Sequence, residues 1–308
     1  MPAILSKDEI APKLDFARLI PALAQGFKDF HAGKARVAPI TNIDLPDVRG
    51  EMHIKPGYIS DGDHVCVKIA TCYYDNPAKG LPTRDGVIVL ANRRTGQIEA
   101  VLCDGGLITD MRTAGASAVA VDALAKQGAV TLGLVGAGTQ ALWHARAIRH
   151  VRPLTQIAVW ARRPEQAEKL ARELAAELGV SARAASLDET AASDVVVTAT
   201  PANAPILTGE TLSAGAMVVA MGADAAGKRE LGAGIADQAT LIVADSLKQC
   251  RAVGELQWHP DTKKRVVELG AVLAGAAPGR QSPREVIIFD STGVAFQDVV
   301  GAAAVIGG

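Results

Sequence analysis

The run Thr131–Ala141, Thr-Leu-Gly-Leu-Val-Gly-Ala-Gly-Thr-Gln-Ala, constrains the fold of this chain more than any other stretch. It reads as a buried strand that turns through two glycines into a helix. Gly136 permits the tight turn, Gly138 lets the backbone approach a pyrophosphate, and Ala141 takes the small position where helix packs on strand. The N–H groups of Thr139 and Gln140, at the helix start, then face phosphate at the positive end of the helix dipole. Gly-x-Gly-x-x-Ala also occurs in turns that bind nothing, so the flanking pattern carries the dinucleotide reading.

That pattern continues correctly. A helix over about Gln140 to His150 leads to a second strand, Ile157 to Trp160. At the end of this strand an NAD site places Asp or Glu against the ribose 2′-hydroxyl. Here the residues are Ala161, Arg162 and Arg163. Two guanidiniums without a carboxylate suit a 2′-phosphate, which favours NADP over NAD. The alternative is a solvated loop carrying two charges.

A chain of 308 residues accommodates two domains, and 49% hydrophobic with 21% charged residues describes a soluble globular protein. The net charge of -1 and the absence of a basic run exclude a nucleic-acid footprint or an electrostatic membrane anchor. The start lacks a signal pattern, and no apolar run reaches the roughly 20 residues of a membrane span. A cytoplasmic location follows as the expectation. Cys66, Cys72, Cys103 and Cys250 form no metal-ligand spacing, so no metal is expected, only free and mostly buried thiols.

From Ala129 onward strands and helices alternate. Asp194–Thr200, Ala216–Met221 and Thr240–Ala244 are apolar, β-branched strands, and Glu285–Asp290 extends the sheet or leads out of it. Pro164–Leu178 is an amphipathic helix. Near-continuous apolar strands mean a parallel sheet covered on both faces, hence an α/β Rossmann-type doubly wound domain, assigned to 119–291. The first part holds a helix near Phe16–Ala32, then β-like runs at Glu51–Ile54, His64–Ala70, Gly86–Leu90 and Gln97–Cys103, separated by turn signals. It reads as a smaller α+β domain over 1–118 and 292–308. A helix from about Thr113 to Lys126 leads into the nucleotide domain. Val294–Ile306 is apolar nearly all round, which requires a buried helix or a subunit interface.

Several segments then carry a resemblance: Val67–Ile69, Asp75–Pro82, Leu107–Ala114, Gly136–Gln140, Met221–Leu231 and Phe289–Val294. Over almost its whole length the chain resembles the ornithine cyclodeaminase/mu-crystallin family. The resemblance implies an amino-terminal domain that pairs two subunits, a homodimer, and a Rossmann domain that binds NAD(H) or NADP(H). It implies chemistry at the carbon–nitrogen bond of a small amino or imino acid. Cofactor contacts at Thr113, Thr200, Met221, Gly222, Gly293 and Val294 are implied in the same way, beside Gly136, Gly138, Thr139 and Gln140.

The family's lysine falls on Lys68 and its arginine on Arg112. A guanidinium grips a carboxylate in a bidentate fork, and a nearby lysine can hold the same carboxylate or donate a proton once burial lowers its pKa. Lys68 is flanked by Val65, Cys66, Val67, Ile69 and Ala70, which favours a cleft over the surface. The alternative for Arg112 is a helix N-terminal arginine bound to solvent, unfavourable against the dipole unless an anion sits there; an anionic ligand is expected to resolve the conflict. In the cyclodeaminase branch the aspartate matching Asp224 contacts the substrate nitrogen and serves in proton transfer; the bland reading is a helix-capping aspartate. The family's arginine after an early proline is missing from Pro39-Ile40-Thr41-Asn42, and Gly115 replaces a usual alanine. Lys55 supplies the missing positive charge, which fits a substrate with a second carboxylate.

Three functions remain open at this point. The leading one is an NAD(P)H-dependent imino-acid reductase or reverse amino-acid dehydrogenase, with Lys68 and Asp224 catalytic and Arg112, Lys68 and Lys55 binding substrate. The second is a cyclodeaminase-type ammonia-lyase with tightly bound NAD. The third is a non-catalytic binding protein, against which three charges at Lys68, Arg112 and Asp224 argue.

Overall fold

The computed structural model describes residues 1–209 and 212–307; Gly308, with which the expected first domain ends, lies outside the described residues. The chain divides into two compact units, Met1–Arg112 with the segment from Val294 onward, and Thr113–Gly293.

The first unit is built on β1 (Ala3–Ser6), β2 (Ala35–Val37), β3 (Thr41–Leu45), β4 (Gly50–Ile59), β5 (His64–Tyr73), β6 (Arg84–Asn92) and β7 (Ile98–Cys103). Their order is β1-β7-β6-β5-β4-β2, with β3 also paired to β4. Every pair is antiparallel except β1 with β7. β4 runs past the expected Ile54 through Pro56, because β2 and β3 pair with different halves of it. Pro56 faces the break between them, where its missing N–H leaves no ladder bond unmade and its carbonyl accepts from Ala38.

Side chains alternate across this sheet. Lys55, Cys66, Lys68, Ile88, Leu90, Ala100 and Leu102 are buried, whereas Met52, Ile54, Val67, Ile69, Val87, Val89 and Val101 on the opposite face are half-buried. Helix Ala295–Ile306 packs on β4 and β5 and against helix Phe16–His31. Phe296 meets Phe27 edge-on at 5.0 Å and stacks on Phe30 at 5.2 Å. Of the two alternatives for the apolar carboxy-terminal segment, burial inside its own unit is the one realised. Cys66 and Cys250 are buried, Cys72 is half-buried and Cys103 is exposed, so the thiols are less uniformly covered than expected.

The second unit holds β8 (Thr131–Val135), β9 (Gln156–Trp160), β10 (Ser181–Ala184), β11 (Val195–Thr198), β12 (Asn203–Leu207), β13 (Met217–Ala220), β14 (Arg229–Leu231), β15 (Ala239–Ala244), β16 (Arg265–Glu268) and β17 (Val286–Asp290). Eight of these form one sheet in the order β10-β9-β8-β11-β13-β17-β15-β16, every neighbour parallel. β12 and β14 form a separate parallel ribbon. The strand order reverses between β8 and β11, the switch point at which doubly wound sheets bind ligands beyond the carboxyl ends of their strands. β17 joins the sheet between β13 and β15, so the late strand extends it from within.

The helix expected at Thr113–Lys126 begins earlier and spans Leu107–Leu124. The division between the units falls within it, after Arg112. Among the described residues no helix is long and apolar enough to cross a membrane.

Candidate active site

The turn after β8 has the form its sequence requires. Gly136 sits at φ +120, and a side chain there would bring a Cβ within 2.7 Å of the Ala199 carbonyl. Gly138 is the N-cap of helix Thr139–Val151, no side chain caps that end, and a Cβ built at Gly138 meets no atom within 4 Å. Open space over an uncapped helix start is what a pyrophosphate needs, so these residues fit a dinucleotide. Arg162 and Arg163 are exposed directly beyond β9, with no acid at the strand end.

Thr200 and Gly222, on the loops after β11 and β13, are tied together by Glu230. Its fully buried carboxylate accepts from Thr198 Oγ1 (2.6 Å), Thr200 N and Oγ1 (both 2.7 Å) and Gly222 N (2.8 Å). Gly222 must lack a side chain, since a Cβ would come within 2.2 Å of the Thr200 carbonyl. Met221 Sδ lies 3.2 Å from Ser117 Oγ, which also lies 2.9 Å from His144 Nε2. His144 Nδ1 is 2.7 Å from the Gln140 carbonyl, so Nδ1 carries the proton and Nε2 accepts from the serine. Burial pulls the His144 pKa down to about 4, which keeps the ring neutral. Ser117 Oγ also lies 3.3 Å from the carbonyl of Thr113.

Asp245, at the end of β15, organises the segment that leads to Gly293. It accepts from Ser291 Oγ (2.9 Å), Thr292 N (2.8 Å) and Gly293 N (2.8 Å). Val294, fully buried, is the N-cap of the carboxy-terminal helix. Asp290 accepts from Glu255 N and Leu256 N, and Glu255 accepts from Glu230 N at 2.7 Å. A row of buried carboxylates therefore holds the loops at the carboxyl edge of the sheet.

Asp224 lies four residues beyond β13 in the loop before β14, half-exposed, with Oδ1 2.7 Å from Lys228 Nζ. It caps no helix. The loop is braced from the turn at Glu255–Trp258: Gly227 N donates to Gln257 Oε1 (3.0 Å) and Trp258 Nε1 donates to the Lys228 carbonyl (3.0 Å).

In the first unit the structure brings Lys68 and Arg112 together around a carboxylate that the sequence did not single out. Asp298 Oδ1 accepts from Lys68 Nζ (2.8 Å) and from Arg112 Nε (2.8 Å), and Gln297 Oε1 accepts from Arg112 Nη1 (2.8 Å). Exposure is 2% for Lys68, 3% for Arg112 and 0% for Asp298, so all three charges are removed from water. Lys55, also buried, sits directly opposite Lys68 in the β4–β5 register. Burial, then the charge of Arg112, brings the Lys68 pKa down to about 7 against the pull of Asp298. Burial pushes the Asp298 carboxyl up, and Arg112, Lys68 and Lys55 hold it below its ordinary value.

The expected place of Arg112 needs correction. It is the sixth residue of helix Leu107–Leu124, not its first, and the anion facing it is Asp298 of the protein. Asp298, Gln297, Glu230, Asp245 and the Ser117–His144 pair were not anticipated. For Asp298 one signal existed, a lone carboxylate within an otherwise apolar segment.

The fold and these sites place the chain among dinucleotide-binding α/β proteins, with a buried lysine–arginine pair on a carboxylate. It belongs to the ornithine cyclodeaminase/mu-crystallin family, which it matches over residues 1–307. It is 40% identical over 272 residues to an uncharacterized cyclodeaminase of Sinorhizobium fredii, covering 85% of this chain and 82% of that one. The iminosuccinate reductase of Paracoccus denitrificans, solved in complex with NAD+, superposes with a TM-score of 0.91 at 32% identity, covering 99% and 95% of the two chains. An archaeal alanine dehydrogenase dimer with bound NAD superposes with a TM-score of 0.92 at 30% identity, covering 99% and 94%.

The carboxylate row has a consequence for stability. Burial raises the Asp290 pKa from 3.8 to about 8 and that of Glu255 from 4.5 to about 7. Both groups bind protons more tightly folded than unfolded, so their contribution is complete below the ordinary carboxylate range and is lost as pH rises through 7 to 8. Denaturant unfolding of Glu255→Gln is expected to be less pH-dependent than that of the parent, with the loss between pH 5 and pH 8 smaller by roughly 1–3 kcal/mol. An identical pH dependence in the two proteins contradicts the assignment.

Proposed function

We propose that this protein is an NAD(P)H-dependent reductase of a small α-imino acid, running in reverse as an amino-acid dehydrogenase. The observation that carries this reading is the buried Lys68–Arg112 pair. Two desolvated cations on one carboxylate retain donors for a second anion, and an α-imino acid presents one. The dinucleotide turn and the likeness to an NAD-bound iminosuccinate reductase and an NAD-bound alanine dehydrogenase support it.

A reduced nicotinamide, when bound, supplies the hydride that the imine α-carbon takes up. Arg112 and Lys68 hold the substrate carboxylate and so fix which carbon is presented. Lys55, opposite Lys68, suits a second carboxylate on the side chain. Asp224 handles the proton at the substrate nitrogen, which becomes an amine as the C=N bond is reduced. On the nucleotide side we assign Gly136, Gly138, Thr139 and Gln140 to the pyrophosphate. Arg162 and Arg163 are assigned to a ribose 2′-phosphate, and Thr113, Thr200, Met221, Gly222, Gly293 and Val294 to the remaining contacts.

The test is a screen of α-keto acids with ammonia, dicarboxylic ones included, read as loss of the near-ultraviolet absorbance of NADH or NADPH. Substrate-dependent oxidation of the nucleotide is expected. Asp224→Asn should lower kcat by ~100-fold or more while nucleotide affinity holds. Release of ammonia from a diamino acid with no net change in nucleotide would instead make the protein a cyclodeaminase.

Cofactor choice is tested separately. Replacing Arg162 and Arg163 by Ala should raise the KM for NADPH by ~10-fold or more and leave that for NADH nearly unchanged. A parent enzyme that uses NADH better than NADPH would sink the 2′-phosphate assignment.

We also propose a homodimer formed through the half-buried apolar face of the first unit's sheet. The carboxy-terminal helix is covered within its own unit, so that sheet face is the surface that needs a partner. Sedimentation velocity at micromolar concentration should give a dimer, and Val67→Asp combined with Val89→Asp a monomer. A parent protein that sediments as a monomer rules this out.

A further inference from the structure

We propose that Asp298 is a positioning residue: one oxygen of its carboxylate holds Lys68 and Arg112 together, so that their remaining donors meet a ligand anion as one preformed grip. This deepens the reductase reading and rests on its assignment of Lys68 and Arg112 to the substrate carboxylate.

The geometry carries the argument. Both cations donate to the same atom, Asp298 Oδ1, at 2.8 Å each. An ammonium has three N–H donors and a guanidinium five. The cluster engages one on Lys68 and two on Arg112, counting the bond to Gln297, which leaves two and three for a ligand. Asp298 Oδ2 and Gln297 Nε2, an acceptor and a donor, are buried with no hydrogen-bond partner in the protein.

Asp298 comes from the carboxy-terminal helix, 230 residues from Lys68 and 186 from Arg112 in sequence, and that helix is locked by Phe296 against Phe27 and Phe30. The anchor is therefore rigid, which a site needs if binding is not to spend free energy on ordering side chains.

Electrostatics gives the same residue a second effect. The charged groups facing Lys68 are Arg112 on its helix, Lys55 on β4, and Asp298; Cys66 on β5 and Asp104 lie in the same field. Arg112 and Lys55 disfavour the ammonium and Asp298 favours it. Without the carboxylate, two adjacent buried cations repel, and the lysine relieves this by losing its proton. Asp298 thus sets the pH range over which the grip keeps both charges.

Lysine labelled with carbon-13 at Cε lets the Lys68 signal be followed by NMR through a pH titration, with Lys68→Met identifying the resonance. In Asp298→Asn the Lys68 midpoint should fall by about one pH unit or more, and Asp298→Glu should restore it toward the parent value. In parallel, Asp298→Asn should raise the imino-acid KM by ~10-fold or more without changing nucleotide affinity. An unchanged midpoint in folded Asp298→Asn overturns the proposal, because a residue that merely supports the fold would not move it. Should that variant fail to fold, Arg112→Gln compared with Arg112→Gln/Asp298→Asn decides: the double variant must titrate lower than the single one by about one pH unit or more, and equal midpoints overturn the proposal. If the parent protein reduces no imino acid, the reductase reading fails while the titrations still decide the role of Asp298.

Discussion

A carboxylate removed from water must be surrounded by donors or by opposite charge, and both units of this protein are organised around that requirement. In the second unit Glu230, Asp245 and Asp290 sit at or near the carboxyl ends of parallel strands, where loops leave the sheet with unpaired backbone N–H groups. Each carboxylate collects several of them. In the first unit Asp298 is compensated by charge, with Lys68 and Arg112 as its partners. The loops that need to be still, and the side chains that need to be aimed, are the ones these four residues hold.

The two solutions differ in what they leave over. Backbone N–H groups bonded to Glu230 are consumed, and the result is a fixed loop shape with little further chemistry. The cations bonded to Asp298 are only partly consumed, which leaves N–H donors on both. Lys68 is also brought near neutrality by burial and by Arg112, whereas the Glu230 carboxyl, although raised by burial, is opposed by hydrogen bonds from Thr198, Thr200 and Gly222. Structural rigidity and chemical reactivity thus follow from the same desolvation, separated by whether hydrogen bonds or mobile protons compensate it.

How much of this is legible in the sequence depends on the distance between partners. Helix Pro164–Leu178 is readable to the residue, because Pro164 starts it, Gly179 ends it in a left-handed turn, and Ala and Leu recur at helical spacing between. The apolar strands β8, β11, β13 and β15 are readable for the same local reasons. β1, β2 and β3 are three to five residues long, β1 and β3 largely exposed, with nothing in their own composition to mark them; pairing partners make them strands. The start of helix Leu107–Leu124 is hidden by the glycines before it, Gly105 and Gly106, and this displaced Arg112 toward a helix end it does not occupy. The motif residues around Gly136, Lys68 and Asp224 are visible, yet what holds them is not. Asp298 and Glu230 act on residues that only the fold brings near, and no spacing rule encodes that.

The same distinction explains why relatives with this architecture carry different activities in their names, cyclodeaminase, iminosuccinate reductase and alanine dehydrogenase among them. A carboxylate grip and a dinucleotide turn serve nicotinamide-dependent reactions at the α-carbon of an amino or imino acid in general. Neither specifies whether the nitrogen stays or leaves. That choice rests on groups that touch the rest of the substrate, and in the reading proposed above Lys55 is one of them. Lys55 lies directly opposite Lys68 on the neighbouring strand, and like charges in register repel. On that reading it would favour a ligand with more than one negative charge over the second amino group on which a cyclising diamino acid depends. Fold and family therefore define the chemistry at the carbon–nitrogen bond, and the proposed reading gives Lys55 on β4 the choice between an acidic and a basic side chain.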